Sequence, residues 1–127
     1  MKRYVDGFVI VVKKGKLNEY KKMAEIGARE WKKHGALEYF ECVGDDLNPD
    51  MKGMKALMFP KMTKQKKGES IIFSFIVYKS KKHRDTVNKK VMNEMDKAMV
   101  QFKNMIMPFD MKKMAYGGFK TIVAFNR

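Results

Sequence analysis

Two stretches constrain this chain most: "YVDGFVIVV" (Tyr4–Val12) and "ESIIFSFIVY" (69–78). Both are rich in β-branched and aromatic residues and read as strands. Alternate residues of a strand point to opposite sides. The first strand has Tyr4, Asp6, Phe8, Ile10 and Val12 on one face and Val5, Gly7, Val9 and Val11 on the other. Both faces are largely apolar, and the later stretch is apolar on both faces apart from Ser74. Strands of this kind must be covered on both sides.

The covering elements are legible between them. Leu17, Tyr20, Ala24, Gly27/Ala28 and Trp31 recur at helical spacing, and Gly35 reads as the residue just past the helix end. "ALEYFECV" (36–43) is the next strand. Asn48, Pro49 and Asp50 look like a helix start, with Met51, Met54, Leu57 and Met58 as one face of a short helix ending before Pro60. "KMTKQKK" (61–67) reads as a loop. Ser80 can cap a further helix with a stripe of Val87, Val91, Met95, Ala98, Phe102 and Met105/Ile106, ended by Pro108. The stripe leaves open whether this is one helix or two joined at 93–96. "MAYGGFKTIVAF" (114–125) is the last strand.

The order is β-α-β-β-α-β with an extra short helix. That is an α+β, ferredoxin-like arrangement: a four-stranded antiparallel sheet with helices on one face. The other face is then bare and apolar, beyond what monomers usually expose. The simplest cover is the same face of a second copy, so the chain is expected to form a homodimer through its sheet faces, a dimeric α/β barrel.

A length of 127 residues suits one domain over 1–127, and 45% hydrophobic residues exclude a disordered chain. The single cysteine fits a reducing compartment. Asp6 and Gly7 interrupt the N-terminal apolar run, so it reads as a strand rather than a signal peptide, and no apolar run approaches a membrane span. A cytoplasmic protein without a membrane partner is expected. Basic residues number 28 against 14 acidic, a net charge of +14, which invites a polyanion. Yet only Arg3, Arg29, Arg84 and Arg127 are arginines, and lysine lacks the planar fork that reads phosphates in pairs. A solvated surface is favoured over a nucleic-acid footprint. The alternative is a non-enzymatic interaction module whose lysines engage RNA or an acidic partner, with steeply salt-dependent affinity.

Three constellations could carry chemistry. At the end of the second strand, "ECVGDD" holds the only cysteine, Cys42. No second cysteine and no nearby histidine stand at ligand spacing, so no metal is expected, and Cys42 reads as a small buried hydrophobe or a minor ligand contact. Asp45 and Asp46 read as turn residues bonding local N–H groups. Glu41, on an otherwise apolar strand face, is the candidate general base, unless its strand is an edge and it is simply solvated. In "KSKKHRD", Lys81, Lys82, His83 and Arg84 crowd a helix start, where the macrodipole favours anions. His83, Arg84 and Asp85 would bind a substrate or anion there, or else Asp85 and Glu69 neutralise the cluster in a surface network. In "YGGF", Gly117 beside Tyr116 either leaves room for a ligand or only bends the sheet. Tyr4 and Tyr116 would line the pocket. The methionines at helical spacing read as core packing, and His34 as a favourable helix C-terminal residue.

The stretches "YVDGF", "HGAL", "ECVGDD", "FSFIVYKSKKHRD", "MPFDMKKM" and "YGGF" follow one another along nearly the whole chain. As a set they resemble the YbaA-like family, a family of unknown function in the dimeric α/β-barrel superfamily. The resemblance implies the ferredoxin-like fold and a dimer, but no established activity. The wider superfamily includes cofactor-free monooxygenases, isomerases, haem enzymes and small-molecule-binding proteins. The expected function is therefore binding of a small molecule, an anionic one among the options, with any chemistry being cofactor-free acid–base or monooxygenase-like. The chain departs from the family pattern at Val43, where the resemblance leads one to expect tryptophan. It also departs in a longer 48–58 loop and in the absence of a proline within 92–97. If Val43 borders a pocket, the missing indole changes its shape.

Overall fold

The computed structural model describes residues 2–104 and 106–127. The chain is an α+β domain: β1 (Tyr4–Val12), α1 (Leu17–Lys33), β2 (Glu38–Val43), α2 (Phe59–Thr63), β3 (Ser70–Tyr78), α3 (Lys81–Ala98) and β4 (Ala115–Lys120), with short 3₁₀ turns at Val100–Phe102 and Met111–Lys113. The strands form one open antiparallel sheet in the order β2-β3-β1-β4. The two strands that are apolar on both faces, β1 and β3, are the two central ones.

The register fixes which residues share a face. One row across the sheet is Glu41, Ser74, Phe8 and Tyr116; the next is Tyr39, Ile76, Asp6 and Gly118. These rows lie under the helices. Ile10, Val12 and Ile72 pack there with Tyr20 of α1, and Ile76 and Tyr78 pack with Val87 and Val91 of α3. Gly27 lets α1 come close to the sheet, because a Cβ there would sit 3.1 Å from the Tyr39 hydroxyl.

The opposite face carries Phe40 and Cys42 of β2, Phe73 and Phe75 of β3, Val5 and Val9 of β1, and Phe119 of β4. The Phe40 and Phe75 rings stack at 4.9 Å, and Phe59 of α2 meets Phe73 edge-on at one corner. Val11, Ile71 and Val77 of this face are buried, but its aromatic part is open: Phe40, Phe73 and Phe119 remain 45%, 48% and 62% exposed. Burying a half-exposed phenylalanine contributes about 1 kcal/mol, so a partner over this face gains several such terms.

Four expectations need correction. The helix expected from Met51 to Met58 is absent: Lys52 and Gly53 take positive φ (50° and 86°), and Met51 and Met54 close a tight turn. The short helix forms later, over Phe59–Thr63, and so runs into the start of the supposed 61–67 loop. Pro60 stands in its first turn and starts it, where it was expected to stop the previous one. The helix after Ser80 runs unbroken through 93–96 but ends at Ala98, well before Pro108. Ile106, placed on its apolar stripe, is exposed, and Met105 lies outside the described residues. The last strand stops at Lys120, so Ile122, Val123 and Phe125 are exposed beyond it.

Candidate functional site

β2 is an edge strand, yet Glu41 turns inward, under α1. Its Oε1 accepts from Tyr20 Oη at 2.7 Å and its Oε2 from Tyr39 Oη at 2.6 Å. Tyr20 comes from the buried face of α1 and Tyr39 from the same face of β2, two residues along. The carboxylate is thus held at both oxygens. Burial first, and then the Glu41 charge and hydrogen bond, push both tyrosine hydroxyls well above their ordinary pKa. They keep their protons and act as donors.

Beside this triad lies a cleft of about 450 Å³ between α1 and β2. Leu17, Ala24, Ala28, Val43 and Ile72 give it mostly apolar walls, with Lys21 and Glu25 on the helix side and Glu41, Tyr20 and Tyr39 as its polar groups. Val43, the point of departure from the family pattern, borders it.

The other candidate residues gather elsewhere. Arg84 does not present its charge to solvent. One guanidinium nitrogen donates to Asp6 Oδ1 at 2.6 Å and to Tyr116 Oη at 3.0 Å, while Nε donates to Asp85 at 2.8 Å. The guanidinium also lies 5.0 Å over the Tyr4 ring. Asp6 is only 1% exposed, and its second oxygen accepts from Asn88 at 3.4 Å. Asn88 Oδ1 in turn accepts from Trp31 Nε1 at 3.0 Å and from Tyr78 Oη at 2.9 Å. A buried carboxylate stripped of such a partner destabilises a fold by about 3–5 kcal/mol. Tyr4, Arg84 and Tyr116 therefore meet around Asp6, with Arg84 pairing the buried Asp6 on one side and the exposed Asp85 on the other.

His83 stands apart from it. Its Nδ1 accepts from the Lys79 backbone N–H at 2.9 Å, and its own N–H bonds Ser80 Oγ, capping α3. Burial, followed by Lys79 and Lys90, lowers its pKa, so the imidazole is neutral with its proton on Nε2. The imidazole and the guanidinium are thus both engaged within the chain, while Lys81 and Lys82 stand exposed at this helix start. Glu69 does not join the cluster; it pairs with Lys113 at 4.0 Å.

Cys42 is exposed on the open face, on the other side of the sheet from Glu41 and not in the packing expected of it. Gly117 lies on that face too, opposite Gly7, where the Phe119 ring takes up the space. Gly118 makes room under the helices for the Tyr4 hydroxyl. Asp45 and Asp46 are exposed, and in the same loop it is Asp50 that accepts from a backbone N–H, that of Lys52.

Sequence reasoning missed Asp6 as the buried anchor of Arg84, and Tyr20 and Tyr39 as partners of Glu41. A signal for Asp6 existed: an acid at an inward strand position demands a cation, and arginines are scarce in this chain. A third group, Glu30, His34 and Glu94, brings three metal-competent side chains together between α1 and α3.

The fold and these sites define an α+β domain with one covered and one open sheet face and a carboxylate-bearing cleft on the covered side. The chain belongs to the family described as protein of unknown function (DUF1428), whose profile matches residues 3–111. It is 41% identical over 121 residues to the protein titled uncharacterized protein YbaA from Escherichia coli K12, covering 95% of this chain and 97% of that one. The protein of the same title from Shigella flexneri matches with the same figures. Among solved structures, the de novo designed protein Foldit4 aligns over 98% of this chain and 100% of its own with a TM-score of 0.42 at 13% identity. Among the described residues, no helix is long and apolar enough to cross a membrane.

Proposed function

We propose that this chain is a single ferredoxin-like domain that pairs through its open sheet face into a homodimeric α/β barrel, and that each protomer binds a small molecule in the α1–β2 cleft. The strand order β2-β3-β1-β4 with helices on one face supports the ferredoxin-like reading. The exposed phenylalanines of the other face support pairing.

One observation carries the binding reading: Glu41 presents a carboxylate, oriented at both oxygens by Tyr20 and Tyr39, beside a largely apolar cleft. A pocket with apolar walls and a few convergent polar groups is the usual form of a small-molecule site. The fitting ligand has a compact apolar body and a hydrogen-bond donor or protonated nitrogen aimed at Glu41. Because the phenols keep their protons, Glu41 is the group that accepts a proton, and Tyr20 and Tyr39 position it. Chemistry that uses this carboxylate is therefore proton transfer to Glu41, with the two phenols holding it in place.

Ligand-observed NMR with benzylamine, tyramine and benzoate tests this. The amines should bind the wild-type chain. Glu41→Gln removes the charge and Val43→Trp fills the cleft mouth, so each should abolish amine binding, and benzoate should not bind. Benzoate binding as well as the amines, or amine binding that both variants leave intact, contradicts the reading.

A further inference from the structure

We propose that Glu30, His34 and Glu94 form a site for a divalent transition metal of the class of Zn²⁺, Co²⁺ or Ni²⁺, which clamps α1 to α3. Each side chain offers one ligand atom, and all three atoms lie within 4.8 Å of one another. Glu30 and His34 are four residues apart at the end of α1, so they project from one helix face. Glu94 reaches them from α3, with its Oε2 2.9 Å from His34 Nε2. The two helices are also tied by the Trp31–Asn88 hydrogen bond at 3.0 Å, so both halves of the site stand on packed elements rather than loops.

The donor set selects the metal class. One imidazole and two carboxylates suit borderline first-row ions better than the all-oxygen cages of calcium and magnesium or the soft sites of copper(I). Three protein ligands leave a position for water, as in many zinc sites. Tetrahedral zinc with bonds of about 2.1 Å places ligand atoms about 3.4 Å apart. The His34–Glu94 pair, at 2.9 Å, needs to open slightly, and Glu30 to move in where its separation approaches the 4.8 Å limit. Half-buried side chains at helix ends can make that movement.

A cation already stands at the site. Lys33 Nζ lies 3.0 Å from the same Glu94 oxygen that His34 meets, and its side chain is 60% exposed. An exposed ammonium on a flexible stem can swing away when a divalent ion takes its place. Lys33 is therefore a competitor for the site. Sequence spacing around Cys42 gives no sign of this group, because His34 and Glu94 are 60 residues apart.

The test uses the full, untagged chain stripped with chelator, titrated with Co²⁺ by visible absorbance and with Zn²⁺ by calorimetry. One ion per chain should bind. His34→Gln and Glu94→Gln should each weaken binding by about tenfold or more, Lys33→Met should tighten it several-fold, and His83→Gln should leave it within about twofold. Lys33→Met changes an exposed helical position to a good helix former, so this variant folds and the tightening remains readable. No saturable binding in either the wild-type or the Lys33→Met chain overturns the site. So does binding that either glutamine variant leaves within about twofold, or that Lys33→Met fails to tighten.

Discussion

At the scale of single residues, the inward positions of β1 and β2 decide most of the chemistry. Asp6 and Glu41 are both carboxylates on the helix-covered side of the sheet, and each is held differently. Asp6 is neutralised by Arg84 and serves the fold. Glu41 meets the Tyr20 and Tyr39 hydroxyls beside an open cleft, and it is the carboxylate we propose for a ligand. The inward direction of Glu41 was one of two readings open in the sequence, since an edge strand equally permits solvation. What decided it lies 21 residues away, in the Tyr20 hydroxyl.

His83 allows a prediction of sign. Burial, then Lys79 and Lys90, lower its folded pKa below the ordinary 6.5. Between that lowered value and 6.5 the unfolded chain binds more protons than the folded one, so stability rises with pH across the window. Above 6.5 this group adds no further pH dependence. Urea midpoints measured from about pH 5 to about pH 7 should climb in the wild-type chain and climb less steeply in His83→Gln. Equal slopes in the two proteins would show that His83 titrates as it does in the unfolded chain.

At the scale of elements, the long periodic segments were legible and the short irregular ones were not. The β-branched and aromatic runs of β1 and β3 and the stripe of α1 placed those elements within a few residues. The Met51–Met58 segment failed because its spacing alone looked helical, while Lys52 and Gly53 supplied two left-handed residues in a row. Pro60 was misjudged because proline both ends one helix and begins the next, and only the chain around it says which. Ser80 was read correctly because a capping serine before a helical stripe is a local signal: its hydroxyl accepts from the His83 N–H at 3.1 Å. Ser80→Ala should lower stability by about 1 kcal/mol in urea unfolding, while Ser80→Asp should largely restore it. If alanine and aspartate behave alike, the cap contributes nothing to α3.

At the scale of the whole molecule, the sequence implied an uncovered sheet face, and the structure has one. The same two-faced apolarity that makes β1 and β3 central leaves Phe40, Phe73 and Phe119 half exposed or more. What lies against them separates the two readings of this protein. A second copy makes a homodimeric barrel with a small-molecule cleft in each half; an interaction module would keep the face for a different partner. The network around Asp6, the Glu41 triad and the Glu30–His34–Glu94 group all lie on the helix side, so pairing through the open face would cover none of them.

Sedimentation velocity at micromolar concentration tests that pairing most directly. The wild-type chain should sediment at twice its 14.9 kDa mass. Phe73→Asp leaves the charge in solvent in a monomer but buries it in a dimer, so this variant should sediment at the mass of one folded chain. A wild-type protein that remains a stable monomer, or a Phe73→Asp variant that still pairs, would contradict a second copy on the open face.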